Sequence, residues 1–257
     1  MARLILWCDG AHPPGENMRR DAALLAAAEE DPGRPAVLRL FRFAPHGITL
    51  GRAQDPSREL DLDRCRRDGV PWAVRPTGGR AIFHAQEWTC SLCARIDDPE
   101  WGGGAAATYA RGSRLLAGSL AGLGVPAHLA PGTRGPAGFP RGSVAAPCFA
   151  STARHEIVID GRKLVGSAQR RGARALLQQS SVLLGDGHLR LADYLAVDEP
   201  QRLRIRAELD ASATDAGAWL GGDPPLERWA EALLDRVPAA ERVDQDAGRV
   251  RLLGSEG

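Results

Sequence analysis

The sequence has almost no lysine. Of its 33 Lys and Arg residues, 32 are arginine, and Lys163 alone breaks the rule. Arginine keeps its charge at any ordinary pH, whereas lysine is a compact ammonium able to exchange a proton. A single lysine kept against such a drift is a candidate for chemistry. Apolar runs long enough for a membrane are also missing, since none nears the about 20 residues that span a bilayer. The opening stretch MARLILWCDG has an apolar run too short for a signal peptide, so the expected compartment is the cytoplasm. Net charge is only +1, which offers no global basic field for nucleic acid. The GxGxxG and Walker patterns are absent, so no dinucleotide or P-loop nucleotide site is indicated.

Cysteine is sparse as well. Five cysteines, an odd number scattered over 257 residues, do not make a disulfide framework and are expected to be thiols. Cys90 and Cys93 have the spacing of a metal or redox pair. On a strand, however, residues three apart face opposite ways, and no second Cys/His pair with zinc spacing follows. Neither a metal nor another cofactor is expected. The histidines sit near turns or strand starts without an H-E-x-x-H or serine-elbow pattern; His155 stands out only because it lies between Cys148 and Lys163.

What is present reads as an ordinary globular protein, with 44% hydrophobic and 25% charged residues. Short strands are expected at 4–7, 36–43, 70–74 and 87–96. Helices are expected at 16–31, at 57–69 with Ser57 as N-cap, at 108–124 and at 225–237. The alternation of apolar and basic residues in AVLRLFRF predicts a half-buried strand. Residues 130–147 are too rich in Gly, Pro and Ala for a regular element and predict a functional loop. HEIVID and RKLVGSAQRR predict a hairpin turning at Asp160-Gly161, which sets Lys163 opposite Val158 on the face shared with Glu156 and Val165. The stretch 174–185 is expected as the third strand of that meander. The absence of linkers and repeats predicts one domain over 1–240, followed by a polar tail at 241–257.

Two stretches carry candidate chemistry. Cys148 ends the loose loop, where an accessible thiolate could accept an acyl group. A free thiol has a pKa near ~8.5, and a nearby ammonium lowers it; Lys163 follows fifteen residues later. Most free cysteines are nevertheless small buried hydrophobes. The second stretch is RPTGGRAIFH, where paired glycines permit a sharp turn and close approach to a ligand.

In order along the chain, NMRRDAALL, GITLGRAQ, VRPTGGRAIFHAQEWTCSLCA, PCFASTARHEIVIDGRKLVGSAQRR and ALLQQSSVLL resemble the lipoate-protein ligase/octanoyltransferase family, closest to its LipM-type octanoyltransferases. The resemblance covers about residues 1–200 and implies an α+β fold of the biotin/lipoyl protein ligase type, with mixed, mostly antiparallel sheets flanked by helices. It also implies an acyltransferase that takes an octanoyl group from acyl carrier protein. The acceptor would be a lysine of a lipoyl domain or of the glycine cleavage H protein. In that scheme Cys148 holds the acyl group as a thioester and Lys163 depresses its pKa. Arg75, Gly78, Gly79, Arg80, His84, Gly166, Ser167 and Ala168 would bind substrate, and backbone N–H groups at 78–79 and 166–168 would stabilise the oxyanion. No nucleic acid or membrane partner is implied. Arg80 stands at a position where the family's ATP-using ligases carry a third glycine. That favours a transferase over the alternatives: a ligase, an amidotransferase between lipoyl carriers, or a carrier-binding module without activity. Three positions depart from the family pattern. Gln179-Ser180 replace His-Gly, Cys90 stands where Tyr is usual, and Ala85 stands where an acid is usual.

Overall fold

The computed structural model describes residues 4–131 and 155–253, the side chain of Val250 excepted. Strand β1 (Leu4–His12) leads into helix α1 (Pro14–Glu30), then β2 (Ala36–Phe43) and β3 (Gly47–Leu50). Two short helices, α2 (Pro56–Glu59) and α3 (Leu62–Arg67), precede β4 (Trp72–Val74), β5 (Ile82–His84) and β6 (Glu87–Arg95). Next come helix α4 (Ala105–Gly122), the two-residue β7 (His128–Leu129), and the meander β8 (Ile157–Ile159), β9 (Arg162–Arg171) and β10 (Ala175–Leu183). The remainder is α5 (Leu191–Tyr194), α6 (Glu199–Ser212), α7 (Gly217–Leu220), α8 (Leu226–Leu234), β11 (Glu241–Asp244) and α9 (Gln245–Leu253).

Among the described residues the strands form two sheets. The larger has the order β11-β1-β2-β6-β10-β9-β8-β7, and the smaller β4-β3-β5. Only β11-β1, β1-β2 and β3-β4 pair in parallel, so the sheets are mixed and mostly antiparallel, as the resemblance implied.

Helices cover both faces of the large sheet. Leu38, Trp88, Cys90 and Leu92 pack against Leu116 and Leu120 of α4 and Trp229 of α8. On the other face, Trp7, Val37, Cys93 and Leu177 pack against Leu24 and Leu25 of α1 and Leu252 of α9. Every residue of β6 and β10 is therefore buried. Trp88 and Trp229 stack with centroids 5.4 Å apart. The small sheet has its own core, where Ile48, Leu50 and Phe83 meet Leu191, Ile205 and Leu209. No helix among the described residues is long and apolar enough to cross a membrane.

Several expectations need correction. The helix expected over 57–69 is two helices interrupted at Leu60. Their N-caps are Asp55, which accepts from Ser57 N–H, and Asp61, which accepts from Arg64 N–H, so Ser57 is not the cap. Strand β2 is not half-buried: Arg39 is fully buried, while Arg42 is partly exposed and bonds Asp223. Residues 241–253, expected as a polar tail, add β11 to the sheet edge beside β1 and place Leu252 in the core. The loop expected at 130–147 falls almost wholly outside the described residues.

Candidate active site

The two pairs next to the Asp160-Gly161 turn have the register the sequence predicts, but the register then shifts and sets Val165 opposite Ile157, off the face expected for it. Asp160 and Gly161 both have positive φ, 50° and 76°, the pair of values a two-residue type I′ turn needs. Val158 pairs with Lys163 and Ile159 with Arg162. Lys163 and Glu156 therefore share a face, and Nζ donates to Glu156 Oε1 at 2.6 Å. Both are buried, at 2% and 6% side-chain exposure. The sole lysine is thus a buried cation held by a buried carboxylate, in a position where a buried guanidinium would have five donors to satisfy.

Cys148 lies outside the described residues. The other four cysteines are described, and all are buried. Burial pushes each thiol up: Cys8 to about 11, Cys93 to about 12, and Cys65 and Cys90 in the same direction. None of the four is a thiolate near neutral pH. Cys90 and Cys93 point into opposite faces of the sheet, as their spacing on a strand requires. Among the described residues no cluster of His, Cys, Asp and Glu could hold a metal ion.

A small cavity is lined by residues of both sheets. Its apolar wall is Met18 of α1, Phe41 and Phe43 of β2 and Ile82 of β5, and its polar wall includes Thr49, Arg75, His84, Thr89 and Gln179. Gly166, Ser167 and Ala168 of β9 form one side, with Ser180 and Ser181 of β10 next to them. Of the substrate-binding candidates, Arg75, His84, Gly166, Ser167 and Ala168 thus border one cavity, whereas Gly78, Gly79 and Arg80 are not on its wall. Sequence reasoning had no signal for Met18, Phe41, Phe43 and Thr49, which come from three separate elements.

Arg75 explains how the glycine turn is held. It is buried, and its guanidinium donates to Gly78 O at 3.1 Å, Arg80 O at 2.7 Å, Thr49 O at 3.1 Å and Thr49 Oγ1 at 3.2 Å. The turn also leans on Gly51, where an added Cβ would stand 2.0 Å from Gly79 O, while Gly79 itself has φ +93°. Gly51→Ala must push that turn away from Arg75. We expect it to lower stability by about 1–3 kcal/mol, as overpacking does, and to slow acyl transfer. Urea denaturation and an initial-rate assay check the two effects.

Gln179 ties the turn to the rest of the fold. Thr77 Oγ1 donates to Gln179 Oε1 at 2.5 Å, and Gln179 Nε2 donates to Asp21 Oδ2 of α1 at 2.6 Å. Ser180, at the second departing position, shares a hydrogen bond with Ser167 at 2.9 Å. The replacement of the family's His-Gly is therefore a bonded, cavity-lining pair.

The architecture is that of lipoate-protein ligases. The chain superposes on the bi-partite lipoate protein ligase of Thermoplasma acidophilum with a TM-score of 0.71 and 20% identity, covering 98% of this chain and 91% of that one. At that identity the likeness concerns the fold. Residues 13–237 match the family described as lipoyl protein ligase A/B catalytic domain, and the chain belongs to that family. Among its relatives is the octanoyltransferase LipM of Moorella thermoacetica, 39% identical over 68% of this chain and 63% of the relative. Another is the octanoyltransferase LipM of Symbiobacterium thermophilum, 39% identical over 87% of this chain and 80% of the relative. The resemblance drawn from the residues is borne out.

Proposed function

We propose that this chain is a single-domain octanoyltransferase of lipoate biosynthesis. It moves an octanoyl group from acyl carrier protein to a lysine of a lipoyl domain or H protein, through a thioester on Cys148. Family membership supports the class of reaction, since relatives 39% identical carry the name octanoyltransferase LipM. The choice of nucleophile rests on the family resemblance of the stretch around Cys148; burial that holds the thiols of Cys8, Cys65, Cys90 and Cys93 away from the thiolate supports it.

The reaction has two halves. The Cys148 thiolate attacks the octanoyl thioester, the pantetheine thiol leaves, and the acyl group rests on sulfur. The acceptor amine then attacks that carbonyl and an amide forms. Each half passes through an oxyanion, which backbone N–H groups stabilise. The strand β9 supports this role at 166–168, because β8 pairs with it only as far as Val165. Beyond that point the backbone groups facing away from β10 have no strand partner among the described residues. The apolar side chains Met18, Phe41, Phe43 and Ile82 offer an octanoyl chain an apolar surface, each buried CH₂ contributing about 0.8 kcal/mol.

Intact-mass measurement after exposure to octanoyl carrier protein tests the reading. One added octanoyl group is expected on the wild type and none on Cys148→Ala. Apo H protein should then become modified without ATP. Modification only when ATP and free octanoate are supplied would make the chain a ligase instead.

A further inference from the structure

The pair Cys148 and Lys163 leaves one arrangement in the cavity without a task. Three side chains from three strands form a continuous line: Thr49 on β3, His84 on β5 and Glu87 on β6. Thr49 Oγ1 lies 2.6 Å from His84 Nε2, and His84 Nδ1 lies 2.6 Å from Glu87 Oε1. All three are buried, and Thr49 and His84 line the cavity. The imidazole stacks on Phe43 at 3.9 Å, which fixes its plane.

The donors and acceptors in this line can be assigned. An ionised Glu87 only accepts, so His84 Nδ1 donates. The lone pair of a neutral His84 then sits on Nε2, facing Thr49. Arg75 only donates, and one of its N–H groups reaches Thr49 Oγ1 at 3.2 Å. The hydroxyl proton is therefore directed at Nε2. Glu87 Oε1 also accepts from Thr89 at 2.5 Å and Ser181 at 3.2 Å, while Oε2 has no hydrogen-bond partner among the described residues. A carboxylate buried to this depth is costly unless a cation forms beside it.

We infer that Thr49, His84 and Glu87 form a proton relay serving the second half of the transfer, in which the acceptor lysine attacks; this rests on the transfer reading above. A lysine enters as an ammonium and is not a nucleophile until it loses a proton. Two protons leave its nitrogen in all. The first passes to Thr49 Oγ1 while the hydroxyl proton of Thr49 moves to His84 Nε2, leaving an imidazolium paired with Glu87. The freed lone pair then forms the C–N bond. The thioester C–S bond breaks, its electron pair leaves on sulfur, and the departing sulfur takes the second proton. The imidazolium returns its proton to solvent before the next turnover. Thr49 is the group that touches the substrate, and His84 and Glu87 are positioning residues behind it. The first half needs no such relay, because the attacking thiolate has no proton to lose and the pantetheine sulfur departs as a thiolate that solvent protonates.

The test measures the two halves separately by rapid-quench mass spectrometry: acylation of the enzyme by octanoyl carrier protein, then loss of the octanoyl group to apo H protein. Thr49→Val keeps the shape and removes the hydroxyl. The ratio of the second rate to the first should fall about 10²-fold, the usual yield of acid–base catalysis. Thr49→Ser should restore it. Hydroxylamine, which is neutral at pH 7 and needs no deprotonation before attack, should accept the octanoyl group from Thr49→Val about as fast as from the wild type. Both halves slowed alike in Thr49→Val, or an equal defect toward hydroxylamine, overturns the relay while leaving the transferase reading standing. A wild type that acquires no octanoyl group overturns both.

Discussion

Lys163→Met should cost about 3–5 kcal/mol of folding stability and abolish enzyme acylation, and adding Glu156→Gln should recover the first loss but not the second. The substitution keeps length and apolar stem but deletes the cation that bonds Glu156, a carboxylate at 6% exposure. Replacing both members by neutral groups of similar shape removes that penalty, since no charge is then buried. Urea denaturation measures the recovery. The rate of Cys148 acylation by octanoyl carrier protein should remain at least about 10²-fold low in the double variant, since in the proposed scheme the Lys163 ammonium is what lowers the thiol's pKa. Lys163→Arg keeps the charge, yet a guanidinium in a site 2% exposed overpacks it, and acylation should again fall strongly. The double variant matters most, because the ion pair supplies a purely structural reason to keep a lysine among arginines. Near-wild-type acylation by a stable double variant would make Lys163 a packing residue and nothing more.

That ambiguity marks how far the sequence could be read. The hairpin was legible because a two-residue Asp-Gly turn fixes register, and register with strand alternation put Glu156 and Lys163 on one face. The direction of that face depends on tertiary packing, which no local pattern encodes. Cys90 and Cys93 were legible for the same reason. The cavity was only half legible. Arg75, His84 and residues 166–168 sit in motif-bearing stretches, but Met18, Phe41, Phe43 and Thr49 look like ordinary core residues until the two sheets are brought together. The edge strand at Glu241–Asp244 was missed because it alternates partly buried with exposed residues and is charged, which in one dimension looks like a tail.

Arg39 is the clearest case of a physical signal read the wrong way, and its replacement carries the second large effect. In AVLRLFRF alternation suggests a half-buried strand, but a strand inside a sheet covered on both faces has no solvated side. Burial of this cation is tolerable only because the surroundings answer every part of it. Nε donates to Asp9 at 2.6 Å, Nη1 to Asp21 at 2.7 Å, and Nη2 to Asn17 Oδ1 at 2.6 Å, while the guanidinium lies 4.0 Å from the Phe41 ring centroid. Arg39→Met strands Asp21 without its cation and leaves Asp9 with Arg20 and, 3.4 Å away, the His12 imidazole. We expect a loss of about 3–5 kcal/mol or more, which threatens a fold whose whole margin is about 5–15 kcal/mol. Arg39→Lys should fall between, since an ammonium is a point charge and cannot bond both carboxylates in a fork. Asp21 also holds Gln179, which holds Thr77 beside the glycine turn, so the damage should reach the cavity. In Arg39→Lys, acyl transfer should therefore drop by more than the unfolded fraction from urea denaturation explains. A drop equal to that fraction would mean the Asp21–Gln179–Thr77 chain carries stability to the core and nothing to the site.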